Sequence, residues 1–134
     1  DLLALARRHG LEVDEHEQQT PDLLHGKVAP FVAAERFGVN DDSVFDAIRC
    51  HSTGAVEMGP LDQVLFVADF CEPNRPYTAA EDVRKLAEHD LEAAVLEVMQ
   101  FKLRKTLLKH ERVHPDSFHA YNALVDKRIH DGTD

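Results

Sequence analysis

Gly59-Pro60-Leu61-Asp62-Gln63-Val64-Leu65-Phe66-Val67-Ala68-Asp69-Phe70, followed by Cys71-Glu72-Pro73, decides how this chain folds. Pro60 suits a first helical turn, where its missing N–H leaves no bond unmade, and Glu72-Pro73 closes the segment. Between them Val64 to Phe70 reads as apolar on every side of a helix, which predicts burial all round. Asp69 is the exception inside that run. A carboxylate there needs a cation, a metal or several hydrogen bonds, and a buried salt bridge stands beside metal ligation as a reading.

Working outward, every neighbouring segment carries helix punctuation, while alternation bounded by turns is hard to find. Asp1 to Arg8 reads as the end of a helix closed near Gly10, followed by a polar loop through Glu17 to Thr20. Residues 25–37 carry Val28, Phe31 and Val32 at helical spacing and stop at Gly38, with Pro30 expected near a first turn or a kink. Asn40 is the expected cap of the next helix, with Asp41 and Asp42 in its first turn, running to about His51. Thr78 to Glu81 spells a capping box. Asp90 caps a long helix from Leu91 to about Lys109, and Pro115 opens a last one with Phe118, Tyr121, Leu124 and Val125 facing inward. The expectation is an all-α bundle of six or seven helices.

At 134 residues the chain suits one domain with a real core, and 43% hydrophobic with 30% charged residues is unlike a disordered tail. The longest apolar run falls far short of the ~20 residues that span a bilayer, so no membrane association is expected. Two cysteines, Cys50 and Cys71, show no CxxC spacing and argue for a reducing compartment, with the cytoplasm as the expected location. A formal charge of −10 disfavours extended nucleic-acid binding. An anionic substrate would need local cations or metals.

His51 lies seven residues after Val44 and three after Ile48, so its ring falls on the core-facing stripe of its helix. Alone, such a histidine is more often a satisfied core residue; Ser52-Thr53-Gly54 beside it adds a turn able to approach an anion through backbone N–H groups. His25, next to Gly26 and Lys27, is a weaker candidate by itself. The wide separation of His25, His51 and Asp69 fits separate antiparallel helices each sending one ligand into a bundle, and imidazole with carboxylate suits iron, manganese, cobalt or zinc. His110-Glu111-Arg112-Val113-His114 matches HExxH, but Pro115 pushes His114 out of the helical conformation that motif needs. His9, His16 and His119 read as surface residues, and the His89-Asp90 and His130-Asp131 doublets as poor ligand pairs.

Four ordered blocks then carry a resemblance: Leu23-Leu24-His25-Gly26; Ala47-Ile48-Arg49-Cys50-His51-Ser52-Thr53-Gly54; Val67-Ala68-Asp69-Phe70-Cys71-Glu72-Pro73-Asn74-Arg75; and His114-Pro115-Asp116-Ser117 with Ala120-Tyr121-Asn122-Ala123-Leu124. Together they resemble the HD-domain phosphohydrolases, within them the YqeK-type symmetrical diadenosine tetraphosphate hydrolases. The resemblance implies that residues 1–134 form the later part of such a domain. It implies His25, His51 and Asp69 as metal ligands, with Asp69 and His51 central to catalysis, and Thr53, Gly54, Arg75 and Lys27 near the substrate. The implied cofactor is a divalent-metal pair, iron foremost, with manganese or cobalt as alternatives. The implied partner is a nucleotide, with a homodimer as the assembly option.

The family has an upstream histidine and a His-Asp doublet ahead of Leu-His-Gly, and this sequence opens with Asp1, after both. The start therefore reads as cut, and a chain with half the shell is expected to bind metal poorly and to be inactive alone. Hydrolysis of another phosphorylated nucleotide and a non-catalytic nucleotide-binding module are the competing functions.

Overall fold

The structure is a computed structural model and describes residues 1–75 and 78–132. Eight α-helices and one 3-10 turn follow one another, with no strand among the described residues: α1 (Leu2–Arg8), α2 (Glu15–Gln19), the 3-10 turn (Pro21–Leu23), α3 (Leu24–Phe37), α4 (Asp42–Cys50), α5 (Pro60–Phe70), α6 (Ala79–Ala87), α7 (Leu91–Leu108) and α8 (Pro115–His130). The all-α expectation holds, with more helices than six or seven. No helix is long and apolar enough to cross a membrane among the described residues.

The extra helix is α2, where a polar loop was expected. Asp14 accepts from the Glu17 N–H at 2.8 Å while Glu17 accepts from the Asp14 N–H at 3.0 Å, a reciprocal cap that satisfies two donors of a five-residue helix. Asp14-x-x-Glu17 carried that signal in the sequence. Conversely, Thr78 makes no side-chain cap, because its backbone is helical (φ −60°, ψ −34°) rather than extended as the cap geometry needs. The cap of α4 is Asp41, not Asn40, and its carboxylate accepts from Ser43 N–H at 2.9 Å.

Pro30 sits inside α3, not in its first turn. It is buried, as is Gly26 one turn before it on the same face, and that burial holds the helix continuous despite the lost N–H. Phe118 is 53% exposed and therefore does not face inward, whereas Tyr121 and Leu124 pack on the core. His9 is mostly covered, its ring stacked on Phe31 at 4.4 Å, so it is not the surface residue expected.

Two apolar clusters result. The larger unites α5, α6, α7 and α8 through Phe66, Phe70, Val83, Val95, Val98, Met99 and Ala120. The smaller joins α1 to α3 through Ala6, Leu24 and Val28, with Leu2, Leu5, Leu11 and Val32 around them. Helix α4 bridges them, packing on α3 and on α5. Helix α5 is not buried all round: Phe66, Val67 and Phe70 point into the core, while Leu61 and Val64 are about half exposed. Asp69 consequently keeps 34% of its side chain open rather than being sealed in oil.

Candidate active site

The site forms where α3 crosses α4, and Gly26 permits the crossing. A Cβ on Gly26 would lie 2.9 Å from the Arg49 carbonyl oxygen, closer than side chains approach a rigid backbone. With nothing there, His25 in the first turn of α3 meets His51 at the end of α4. The two ring centroids are 4.8 Å apart and cross edge to face.

Their hydrogen bonds fix which nitrogen does what. His25 Nδ1 bonds to the Asp22 carbonyl, and His51 Nδ1 bonds to the Ile48 carbonyl at 2.5 Å. A carbonyl can only accept, so both Nδ1 atoms carry the proton and both neutral rings turn a lone pair outward on Nε2. Those two Nε2 atoms stand 3.0 Å apart. Ser52 Oγ lies 2.8 Å from one and 3.3 Å from the other, but a hydroxyl has one proton and can satisfy only one of them. Converging imidazole lone pairs whose other nitrogens are oriented by carbonyls are what a divalent cation requires of its ligands. The donor set fits a metal.

Asp69 approaches from α5 but meets cations first. Arg75 donates to its carboxylate at 3.2 Å, and the Lys102 ammonium lies 3.9 Å away. Lys102 also donates to the carbonyls of His51 and Ser52 at 3.3 and 3.4 Å and covers the Phe66 ring at 4.3 Å. One ammonium thus ties the carboxylate of α5 to the histidine end of α4. Burial pushes Lys102 down to about 8, with Asp69 opposing the fall and Arg75 adding to it. Asp69 does not close a three-donor set with the imidazoles: among the described residues only Asp14, Glu17 and His114 bring three such donors within 4.8 Å.

That other cluster has structural partners throughout. Asp14 and Glu17 cap α2, Glu17 is buried and paired with Lys27 at 2.8 Å, and His114 Nδ1 caps α8 by accepting from Asp116 N–H at 3.1 Å. Lys27 is thereby turned to Glu17 and the Glu12 carbonyl rather than into the cleft beside the histidines. Thr53 lines that cleft, its hydroxyl donating to the Gly54 carbonyl at 3.0 Å. Gly54 is a packing residue: φ is +74°, and a Cβ would lie 2.6 Å from Met99 Cε.

Lys102 is a site residue that sequence reasoning missed, whereas Ser52 was read only as part of the turn beside His51 and not as a partner of the two rings. Lys102 follows Val95, Val98 and Met99 by seven, four and three residues, so a cation on the buried stripe of α7 was the available signal. His110 to His114 do not form a zinc helix: His110 has φ +56°, and His114 is extended ahead of α8. Burial, helped by Asp62, pushes the Cys50 thiol up to about 11, and burial also raises Cys71, so neither is a thiolate nucleophile near neutrality.

No family model matches the chain. It is similar to the symmetrical bis(5'-nucleosyl)-tetraphosphatase of Bacillus subtilis, 39% identical over 105 residues, which is 78% of this chain and 56% of the relative. The enzyme of the same name from Halalkalibacterium halodurans is 35% identical over 104 residues, with the same two shares. Among solved structures, an HD superfamily hydrolase involved in NAD metabolism from Clostridium acetobutylicum superposes with a TM-score of 0.87 at 27% identity, covering 94% of this chain and 67% of that one. The chain spans a little over half the length of the curated relatives it matches.

Proposed function

Because the chain belongs to the HD-domain hydrolases of the YqeK type, we propose that it carries part of a metal-dependent site that hydrolyses diadenosine tetraphosphate symmetrically to two ADP. The observation that carries this reading is the pair of outward Nε2 lone pairs 3.0 Å apart, each ring oriented by a backbone carbonyl. The names of the relatives supply the substrate class, and the site supplies the chemistry.

His25 and His51 would hold a divalent metal, with Asp69 as the carboxylate nearest in kind and iron ahead of manganese or cobalt. When bound, such a metal supplies Lewis acidity to a phosphoryl oxygen and lowers the pKa of water. The chain's own residues do the rest. Arg75 and Lys102 place positive charge beside Asp69, where phosphoryl oxygens gaining charge need compensation. Thr53 and Ser52 offer hydroxyls on the cleft wall. Water adds across the central P–O–P linkage, one ADP taking the hydroxyl oxygen and the other the proton. A homodimer is part of the same proposal, since exposed Leu61 and Val64 give α5 an apolar outer face.

The test is chromatographic identification of the products that the full-length protein releases from diadenosine tetraphosphate with iron, manganese or cobalt supplied. ADP alone supports the reading, whereas AMP with ATP, or turnover only of another phosphorylated nucleotide, overturns it. In the full-length protein Asp69→Ala should abolish turnover and lower metal content, while His110→Ala does little to either. A second reading, a non-catalytic nucleotide-binding module, is favoured by the engagement of Asp69 with Arg75 and Lys102. Nucleotide binding without turnover under any of the three metals would select it.

A further inference from the structure

Beside the histidine pair lies a cleft of about 370 Å³, within the ~300–1,000 Å³ usual for ligand sites. Its floor is apolar, from Met99, Leu103 and Val113, and its rim is cationic, from Lys102, Lys105 and Arg112. The chain as a whole carries −10, so this local reversal of sign is informative. The one acid on the wall, Glu111, is paired with Lys109 at 3.7 Å. His110, in a left-handed turn at φ +56°, reverses the chain after α7 and so carries Arg112 and Val113 to the cleft.

Lys102 and Lys105 stand one helical turn apart on α7 and also line a second hollow, of about 190 Å³, with Asp69, Phe70, Arg75 and Phe101. Two hollows therefore share one ridge of two lysines. The second is too small for a nucleoside by the same ligand-site range, yet it holds a further cation, Arg75. An apolar floor, a cationic rim and a cationic ridge leading to a smaller basic hollow describe a molecule with a flat organic end and a chain of anionic groups.

We propose that the larger cleft seats one nucleoside of a nucleoside polyphosphate against Met99, Leu103 and Val113, and that its phosphates run over the Lys102–Lys105 ridge toward Arg75. The proposal rests on the hydrolase reading for the identity of the ligand, and on the cleft for its place. It assigns Lys105 and Arg112 as substrate-positioning residues that act by binding alone.

The test is calorimetric titration of the chain with adenosine, AMP and ADP in excess EDTA, so that no metal contributes. ADP should bind about tenfold or more tighter than adenosine, the scale of one charge-assisted contact. Lys105→Ala and Arg112→Ala should each remove about that factor for ADP and leave adenosine unchanged. Lys85→Ala, on α6 and outside both hollows, should bind ADP as the unaltered chain does. In the unaltered chain, ADP should slow hydrogen exchange at residues 99–106 and 111–117, a readout that needs no variant.

ADP binding no tighter than adenosine, full affinity in both alanine variants, or protection elsewhere would overturn the ridge. Hydrolysis of diadenosine tetraphosphate with ADP affinity indifferent to Lys105 and Arg112 sinks the ridge alone. Lysine-dependent ADP binding without hydrolysis keeps the ridge and removes the enzyme.

Discussion

The two apolar clusters differ in what they are made of and in what they hold. The α5–α8 cluster interlocks Phe66, Phe70, Met99 and a row of valines, whereas the α1–α3 cluster rests on Ala6, Leu24 and Val28 inside a ring of half-covered leucines. The larger unit positions Asp69 and Lys102; the smaller one positions His25. The candidate site therefore straddles a strong part and a weak part, and the accuracy of the histidine pair depends on the weak one. Local opening free energies follow buried apolar contact, so α1 and α3 should open before the main core does.

The sharpest way to break that contrast is at the cores themselves. Phe66→Ala removes a fully buried ring and should lower stability by about 3–5 kcal/mol in urea unfolding, with loss of helix throughout. Leu24→Ala should instead raise exchange mainly in α1 and α3; equal loosening of α7 would show that the two clusters are one cooperative unit.

Next comes Lys27→Met, which leaves the buried Glu17 carboxylate without its ammonium. A loss of about 2–3 kcal/mol is expected, below that of a fully buried pair because Lys27 reaches water. Thermal melts at neutral pH measure it. Gly26→Ala should cost about 2 kcal/mol by forcing α3 away from Arg49. Its more telling effect is weaker metal uptake with the α5–α8 core intact, measured by equilibrium dialysis.

The smallest effect concerns Lys102. Its pKa of about 8 lies below the ordinary 10.5, so between those values the folded chain binds fewer protons than the unfolded one, and stability rises with pH. Lys102→Met should flatten that rise by about 1–2 kcal/mol between pH 8 and 10.5, read from urea midpoints. An unchanged slope would mean that the ammonium is well hydrated.

Much of this was legible beforehand, for reasons that differ residue by residue. Asp90, Pro60, Pro115 and Gly38 mark helix ends through local chemistry, which a sequence displays directly. His51 was placed inward by its spacing from Val44 and Ile48, and the structure brings its ring to His25. The exposure of Leu61 and Val64 was not legible, because an apolar run says nothing about which side lacks a neighbour. Nor was the meeting of Asp69 with Lys102, since α5 and α7 come together only through tertiary packing. Pro30 misled because burial of its face outweighed a missing donor.

The left-handed turn at His110 has a thermodynamic corollary. A side chain at φ +56° sits in a conformation that raises its backbone energy by about 1–2 kcal/mol over glycine's. The segment bearing Arg112 is thus held like a bent spring, with its tension stored in a single peptide unit. Relieving it with His110→Gly should raise the melting temperature slightly and leave the turn in place. Evolution has left a small reserve of stability untouched at the lip of the cleft.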